Sequence, residues 1–375
     1  MNIKNNLLIV LVVILNGCST YVNVKVLKPA KFNLSDTKKV AIMDFDYVGS
    51  WTFDVDPEPE TFTEIAKEAL KSTFGLDKEK QEPPHPTKAF PGTDVSAKFR
   101  TKLVNNGHFT VIEREELEKV LDEQSLSMTG LVDDIDAAYI GKLLGVDAII
   151  LGSGSYSVTD NGGWYEQKYK DKDGKKHTSY TYKVFRLIDV VINYKVVSVE
   201  TGQILASAEN SSANYDESKI FFPYDDFSEE ETKEDARANV PDWKPIVNKL
   251  TNKVISKSIK QIAPYYKKED REIKTGSTGA MKAGLKYAER KLWDDAKESW
   301  ELVLEDNSTN GQKDHVPAMY NVAIYYEIHG DLDKAEELFD KCFKLSGKSE
   351  YLDARARIQK RKKELIKLEE QQNQN

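Results

Sequence analysis

Two short patterns in this chain of 375 residues contain side chains that could do chemistry. Cys18 closes a segment in which Lys4 precedes nine consecutive apolar residues, Leu7–Leu15. A cysteine thiolate is a nucleophile, so this position is a candidate for covalent modification. Asp44 and Asp46 follow a second apolar stretch and are separated by one residue. At that spacing one carboxylate could attack an electrophile while the other donates a proton.

The residues around Cys18 have the pattern of a cleaved lipoprotein signal. Nine apolar residues are too few to span a bilayer, which takes about 20, but they suit the core of a signal peptide. The segment ends in Leu15-Asn16-Gly17-Cys18, which resembles a bacterial lipobox except at Asn16, where the motif has a small residue. The resemblance implies cleavage after residue 17 and acylation of Cys18, which would anchor the mature protein in a membrane.

Two further points concern this signal. The alternative to a lipoprotein signal is an ordinary secretory signal in which Cys18 is incidental. If the protein is lipidated, Ser19 bears on its location, because by analogy with enteric bacteria an Asp at that position would retain it at the inner membrane. We therefore expect a location in the cell envelope, anchored most favourably to the outer membrane and facing the periplasm.

Composition excludes several classes of site. Lys and Arg number 54 against 62 Asp and Glu, giving a net charge of −8, and an acidic chain binds polyphosphates poorly. The two cysteines, Cys18 and Cys342, are too few for a disulfide framework or a cysteine-rich metal site. The five histidines lie far apart in the sequence. We expect no nucleic-acid partner, no cofactor and no metal site.

The remaining sequence predicts an α/β domain followed by an all-α module. Apolar runs rich in β-branched residues predict buried strands, and apolar residues at helical spacing predict helices. Strands are expected at 39–45, 109–112 and 146–151, and helices at 62–70, 95–104, 115–124, 134–144 and 243–262. The Asp173-Gly174 turn signal predicts a polar, tyrosine-rich hairpin over 152–183, and a second hairpin follows over 184–209. Residues 75–91 and 210–242 are expected to be irregular.

Four of these stretches together resemble a known family. They are Val40–Phe45, Gly107–Arg114 with the helix after it, Ile140–Gly152 and Val196–Leu205. In this order, over about residues 38–262, they resemble the CsgG family of bacterial outer-membrane lipoproteins. The resemblance implies a small mixed sheet with packed helices. It also implies a function in secretion or envelope assembly, since relatives include the curli secretion pore and an LpoB domain that activates a peptidoglycan synthase.

Pore-forming relatives insert hairpins into the membrane, and the sequence argues against that role here. A strand in a bilayer needs an apolar row facing the lipid, and a lysine at mid-bilayer costs about 2–4 kcal/mol. In the hairpin over 164–182, one row reads Trp164, Glu166, Lys168, Lys170 and the other Tyr165, Gln167, Tyr169, Asp171. We expect this hairpin to stay outside the bilayer. Its tyrosines either contact a subunit or partner, or belong to a solvated arm.

The C-terminal region contains two stretches in one register that resemble tetratricopeptide repeats. The packing positions are Gly284, Tyr287, Ala296 and Trp300, then Ala323, Tyr326, Ala335 and Phe339. Small residues let neighbouring helices approach, and aromatic rings fill the space between repeats. Stable arrays usually have three or more repeats. We therefore expect this pair of repeats to pack against the first domain or against another chain. Its concave face either binds peptides or has only a structural role.

These features divide the chain into six segments. We expect a signal peptide at 1–17, a lipid-anchored tether at 18–36, a CsgG-like α/β domain at 37–262, a linker at 263–279, two repeats at 280–348, and a charged helix and tail at 349–375. The predicted function is that of a non-catalytic scaffold or assembly component of the cell envelope. It would have protein partners, with homo-oligomer formation left open. A component of a CsgG-like oligomeric secretion channel is the first alternative.

An envelope phosphatase is the second alternative. The segment Ile42–Val48 resembles the nucleophile motif of haloacid-dehalogenase phosphatases, with Asp44 as nucleophile and Asp46 as the acid. That chemistry needs Mg²⁺ held by a later acidic pair. Asp133-Asp134 is such a pair, but it opens a predicted helix instead of following a strand. The family resemblance explains the same strand without catalysis, so we predict that the protein is not an enzyme.

Overall fold

The computed structural model describes residues 20–54, 93–112, 142, 144–222 and 229–372, which fall into two compact units. Among the described residues, the α/β unit consists mainly of those between 30 and 265, and the helical unit combines residues 20–29 with residues 266–369. The predicted fold class, a mixed α/β sheet with packed helices followed by a helical module, is confirmed.

The described elements follow in chain order. They are β1 (Thr20–Lys28), β2 (Lys39–Ile42), β3 (Asp46–Asp54), α1 (Thr93–Asn106), β4 (Thr110–Val111), β5 (Ala148–Lys170), β6 (Lys176–Ser198), β7 (Ile204–Phe222), α2 (Glu229–Ala238), α3 (Trp243–Ile262), β8 (Tyr265–Ile273), α4 (Gly279–Glu289), α5 (Trp293–Glu305), α6 (Thr309–His329), α7 (Leu332–Ser346) and α8 (Ser349–Gln372). The helices expected at 62–70 and 115–124, and most of that at 134–144, lie outside the described residues. Within the described ranges, no helix combines the length and the apolarity needed to cross a bilayer.

A mixed sheet forms the centre of the α/β unit, with strand order β4-β2-β5-β6-β7 and with β3 paired to β5. The pairs β2–β4, β2–β5 and β3–β5 are parallel, whereas β5–β6 and β6–β7 are antiparallel. Asp147 fixes the start of β2, because its Oδ2 accepts the backbone N–H groups of Lys38 and Lys39 at 2.8 Å each. The short apolar strands of the sequence thus lie side by side in the interior.

One face of the sheet is covered by α1 and α3. The apolar stripes of these helices meet alternate residues of β6 in a single core: Val95, Phe99, Leu103, Val247, Leu250, Val254, Ile255, Ile259 and Ile262 from the helices, and Ile188, Val190, Ile192, Tyr194 and Val196 from the strand. A smaller core on the other face contains Ala41, Met43, Ile149, Leu151 and Val197. Because successive strand residues point to opposite faces, the two cores share strands but no side chains.

The strands β5 and β6 are far longer than the runs that the apolar pattern predicts. Each has 23 residues, and their pairing is continuous from Ala148–Ser198 to Lys170–Lys176. The strand β7 also continues beyond the expected end at residue 209, to Phe222, and α2 lies in the segment expected to be irregular. Pairing with the apolar strand β6 supports these polar partners, so tertiary context overrides their low strand propensity.

The helical unit is a stack of consecutive antiparallel helices closed by α8. Its core contains residues from every helix, among them Met281, Trp300, Ala323, Phe339 and Ile358. Local sequence signals set the helix ends: Thr278, Ser308 and Asp331 accept N-cap hydrogen bonds, and Gly330 and Gly347 adopt the left-handed conformation that ends a helix.

The expected tether at 18–36 and linker at 263–279 differ from the structure. Residues 20–28 form β1, residues 265–273 form β8, and the two strands pair in a sheet of their own within the helical unit. Neither segment carries a continuous apolar run, so pattern reading missed them. The backbone groups on the facing edges of the two strands pair with each other, and local composition does not reveal a pairing between residues so far apart in sequence.

Candidate interaction sites

The extended part of the β5–β6 hairpin is held by a buried ion pair. Arg186 donates from Nε to Asp160 Oδ1 and from Nη2 to Oδ2, each at 2.7 Å, and both side chains are buried. Trp51 of β3 donates its indole N–H to Asp160 Oδ2 at 3.0 Å, and Arg186 Nη1 donates to the carbonyl oxygen of Pro241 at 2.6 Å. This bidentate pair therefore links three strands with the chain that leads into α3.

Beyond this ion pair, towards the end of the hairpin, lies the segment 164–182, which we call the arm. The helix α2 covers one face of its base, where Tyr182, Val184, Ala236 and Val240 form a small core against Trp164. The rings of Trp164 and Tyr182 meet edge to face at 5.1 Å. The arm is therefore a supported projection of the sheet and contains its own apolar contacts.

The other face of the arm's base carries a row of aromatic rings, in which Phe185 is buried, Tyr165 is partly buried and Tyr215 is 39% exposed. The rings of Tyr165 and Phe185 are 5.9 Å apart, and those of Phe185 and Tyr215 stack at 6.1 Å. Lys183 lies 4.7 Å from the centre of the Tyr165 ring and pairs with Glu217. Burial and the neighbouring Glu217 both raise the pKa of Tyr165 and of Tyr215, so these phenols stay neutral at physiological pH.

The tip of the arm is organised by Asp171. Its carboxylate accepts the N–H groups of Asp173 at 3.0 Å and Lys175 at 2.9 Å, and it lies 2.6 Å from His177 Nε2. The hydrogen bond with His177 is the main cause that holds the pKa of Asp171 below its ordinary value. The imidazole of His177 in turn stacks on Tyr169 at 5.4 Å. Tyr169 remains 48% exposed and Tyr180 38% exposed, so the arm presents aromatic surface to solvent.

Most of the predicted repeat positions lie in the core of the helical unit. Ala296, Trp300, Ala323, Ala335 and Phe339 are completely buried. Gly284 faces the indole of Trp300 so closely that a Cβ atom there would overlap the ring. Tyr326 is half-buried against this core, whereas Tyr287 is exposed and takes no part in it. The structure thus brings seven of the eight residues to the packed side of the helices and leaves Tyr287 at the surface.

A polar aromatic cluster, the tyrosine–lysine cluster, lies on the surface of α5, α6 and α7. Lys297 contacts the rings of Tyr325 and Tyr326 at 5.4 and 5.6 Å, and Lys334 lies 4.3 Å from the centre of the Tyr326 ring. The Tyr325 hydroxyl donates to Asp294 at 2.7 Å. The hydrogen bond with Tyr326 raises the pKa of Lys334, which therefore remains a cation. Lys297 also pairs with Glu301 at 3.3 Å, so the cluster combines rings, two lysine ammonium groups and the carboxylates of Asp294 and Glu301 on one surface.

The strand β1 is fastened to the helical unit by charged groups. Lys28 lies between Glu269 and Glu364, at 2.9 Å from each, and Arg361 donates to the carbonyl oxygen of Leu27. Burial raises the pKa of Glu269, but the hydrogen bonds and charges of Lys28 and Arg271 outweigh burial and hold it at about 2. These contacts make β1 an integral part of the helical unit.

The cysteine and aspartates that the sequence analysis proposed for lipid attachment or catalysis lie in several different places. Cys18 lies outside the described residues, as do Asp133 and Asp134. Asp44 is half-buried between β2 and β3, and Asp46 is exposed as the first residue of β3. Across the described ranges, no group of three or more His, Cys, Asp or Glu side chains is arranged to hold a metal ion. The phosphatase hypothesis remains a prediction from sequence.

Sequence reasoning missed the ion pair of Asp160 and Arg186 and the charged contacts around Lys28. The first had a signal, because a hairpin closed around Asp173 pairs residues that are equally distant from it, and these two residues satisfy that condition. The second had none, since Lys28 and Glu364 are 336 residues apart.

The fold thus defines an α/β unit of mixed parallel and antiparallel pairing and a unit built mainly of helices. Residues 80–222 match the family described as "Curli production assembly/transport component CsgG". The predicted resemblance to the CsgG family is confirmed over these residues. Residues 282–367 match a second family, a domain of unknown function designated DUF6340. A search of curated proteins found none that matches this chain.

Several solved structures are similar to parts of the chain. The LpoB C-terminal domain from Salmonella enterica is 14% identical, covers 47% of this chain and 83% of its own, and has a TM-score of 0.20. Lipoprotein GNA1162 from Neisseria meningitidis is 11% identical over 57% of this chain and 96% of its own, at 0.21. The PelC dodecamer from Paraburkholderia phytofirmans is 10% identical over 65% of this chain and 99% of its own, at 0.20. At such scores the likeness does not extend to function.

Proposed function

We propose that this protein is a lipid-anchored, non-catalytic component of the cell envelope that docks other proteins through the arm. The match to the CsgG family supports an envelope role, because the family is described as a component of curli assembly and transport. The observation that carries the docking function is the arm itself. It is a continuously paired projection with exposed tyrosines along it and an aromatic row at its base.

Three physical features suit the arm to protein contact. Tyr169, Tyr180 and Tyr215 expose large rings that have one polar end, and such residues are enriched at the centres of protein interfaces. The strand pairing continues to the tip, so docking orders little chain and loses little conformational entropy. The buried ion pair of Asp160 and Arg186 joins β5 and β6 at the base of the arm.

Site-specific photocrosslinking in intact cells tests this function. A photoreactive phenylalanine analogue placed at Tyr169 or Tyr180 is expected to form a discrete adduct with a second protein. The matched control is Val104, which is 52% exposed on α1 in the same unit and lies outside the arm. Adducts at Tyr169 that are equally abundant at Val104 would contradict docking by the arm, as would the absence of adducts at both arm positions.

The same adducts decide whether the partner is a second copy of this chain or another protein, since mass spectrometry identifies the crosslinked peptide. Ion conductance of the purified protein across planar lipid bilayers would instead favour the alternative of a secretion channel component. Mg²⁺-dependent phosphate release that is lost in Asp44→Asn would overturn the non-catalytic function.

We also propose that the tyrosine–lysine cluster binds an acidic segment of a partner. Lys297 is paired with Glu301, whereas Lys334 lies over the face of Tyr326 and can pair with a carboxylate of the partner while the partner's chain covers the ring. Lys334→Glu is expected to reduce pull-down of the partner without unfolding the protein. The control is Lys344→Glu, a change on the same helix at a lysine whose side chain is 72% exposed and which lies outside the cluster.

Lipid attachment at Cys18 is a further part of the proposal. Radiolabelled palmitate is expected to enter the protein and to be absent from Cys18→Ser, which should also be lost from the membrane fraction. Cys342→Ala keeps Cys18 and is expected to retain both the label and the membrane. Unchanged fractionation of Cys18→Ser would show that the anchor is not needed.

A further inference from the structure

The outer face of the β1–β8 pair carries two of the most exposed aromatic rings in the described chain. Tyr21 is 62% exposed and Tyr266 is 70% exposed. The hydrogen bond from Asn23 Nδ2 to Asp270 Oδ1, at 3.0 Å, shows that these two side chains lie on the same face of the pair. Tyr21 stands two residues from Asn23, and Tyr266 four from Asp270, so both rings share that face.

Positive charge lies on the same face. Lys25 is two residues from Asn23 and Lys268 is two from Asp270, so their side chains also point outward, and both are exposed. Two carboxylates share this face by the same alternation, and both are engaged: Asp270 accepts the hydrogen bond from Asn23, and Glu272 pairs with Lys274 at 2.9 Å. Tyrosine rings and lysine ammonium groups together are the side chains that favour the boundary between water and lipid headgroups.

The length of chain before β1 brings this face close to the proposed anchor. Thr20 begins β1, and only Ser19 separates it from Cys18. Two extended residues span about 7 Å. The polar headgroup layer on each side of a bilayer is itself about 5–7 Å thick. An acylated Cys18 therefore holds the first residue of β1 within, or at the surface of, the headgroup layer.

The pair cannot leave the helical unit without a large cost. Val22 and Ile273 on its inner face belong to the core of the helical unit. Lys28 is held between Glu269 and Glu364, and Arg271 donates to Glu327 at 2.7 Å from a buried position. The inner face is thus occupied by the protein, and the outer face is the side that is exposed.

We propose that the outer face of the β1–β8 pair, with Tyr21, Lys25, Tyr266 and Lys268, lies on phospholipid headgroups and presses the helical unit against the membrane. This inference rests on the proposed acylation of Cys18 and adds to it the surface that touches the bilayer. The acylated Cys18 would then be joined directly to a folded sheet and not through a long flexible tether.

Fluorescence quenching on vesicles tests the inference. Purified acylated protein with Tyr21→Cys or Tyr266→Cys carries an environment-sensitive dye and is reconstituted into vesicles of phosphatidylcholine and phosphatidylglycerol that contain nitroxide-labelled headgroups. Cys342 is buried, so the dye attaches at the introduced thiol. We expect strong loss of emission at positions 21 and 266. Leu302→Cys, with the same 62% exposure on α5, is expected to keep its emission.

The outcomes separate this inference from the proposed anchor. Protein that lacks acyl chains by mass spectrometry, or that does not stay with the vesicles, contradicts the anchor. Protein that is acylated and vesicle-bound, but is quenched no more at positions 21 and 266 than at 302, overturns the headgroup contact alone. Lys25→Glu with Lys268→Glu keeps the fold contacts and is expected to lower the quenching at 266, and unchanged quenching would remove the role of the two lysines.

Discussion

Arg186 and Asp160 meet across neighbouring strands in a two-point ion pair whose atoms are 2.7 Å apart at both contacts. Both side chains are buried, and each makes a further hydrogen bond, from Trp51 to Asp160 and from Arg186 to Pro241. The pair stands where the sheet leaves its cover of α1 and α3 and continues towards the arm. It therefore connects the core of the α/β unit with the surface proposed to dock a partner.

Arg186→Gln is expected to destabilise the α/β unit by about 3–5 kcal/mol, because it leaves the carboxylate of Asp160 buried without its cation. Chemical denaturation followed by circular dichroism measures the change. Lys183→Gln is the control. Lys183 lies on β6, as Arg186 does, and forms a partly exposed pair with Glu217 of β7, whose loss should cost at most about 1 kcal/mol. Equal unfolding midpoints for the two variants would show that the buried pair adds no more stability than the partly exposed one.

Gly284→Ala is expected to destabilise the helical unit by roughly 1–3 kcal/mol, because the new methyl group would overlap the indole of Trp300 and force the helices apart. Thermal unfolding monitored by tryptophan fluorescence gives the measurement. Gly279→Ala serves as the matched control, since a Cβ atom there meets nothing within 4 Å in the same helix. If both variants unfold at the wild-type temperature, close packing at position 284 does not limit stability.

The stability of the helical unit is expected to fall in acid. The pKa of Glu269 is held at about 2 against an ordinary value of 4.5, so the folded state binds this proton more weakly than the unfolded state. Its contribution is fully present above pH 4.5 and is lost as the pH falls towards 2. Glu336, with its pKa at about 2 through hydrogen bonds from Lys362 and Gln359, acts in the same direction.

Denaturation midpoints measured between neutral pH and pH 2 test this dependence. Glu269→Gln removes one of the two carboxylates and is expected to flatten the acid side of the profile while lowering the midpoint at neutral pH. Glu298→Gln changes a carboxylate of α5 that has no ion pair among the described contacts, and it should leave the profile unchanged. A Glu269→Gln profile that is parallel to that of the wild type would contradict the assignment.

Cys342 is expected to resist alkylation in the folded protein. Burial in α7 raises the pKa of its thiol to about 12, so thiolate is scarce at neutral pH and the sulfur is also out of reach of reagent. Iodoacetamide should label it only as the helical unit unfolds, with a denaturant dependence that matches the loss of helical circular dichroism. Rapid labelling in native buffer would show that the core around Phe339 opens on its own.

The strongest local patterns predicted the elements correctly. The run 39–45 and the stripe of residues 243–262 specify β2 and α3, because burial of an apolar face has a period that is visible in sequence. The spacing of Gly284, Ala296 and Trp300 likewise indicated helices that approach closely. Cys18 remains a sequence prediction, since it lies outside the described residues.

Long-range pairing decided the rest. The strand β1 forms because β8, about 245 residues later, offers unpaired backbone groups, and no local property of residues 20–28 announces that partner. The same holds for Lys28, whose partner Glu364 belongs to the last helix.

The sequence by itself determined which segments bury an apolar face, and it predicts an anchor at Cys18. The tertiary structure alone decided that residues 20–28 form a strand of the helical unit. Hydrophobic period is a local property of the chain, whereas strand and ion-pair partners depend on how distant segments meet in space.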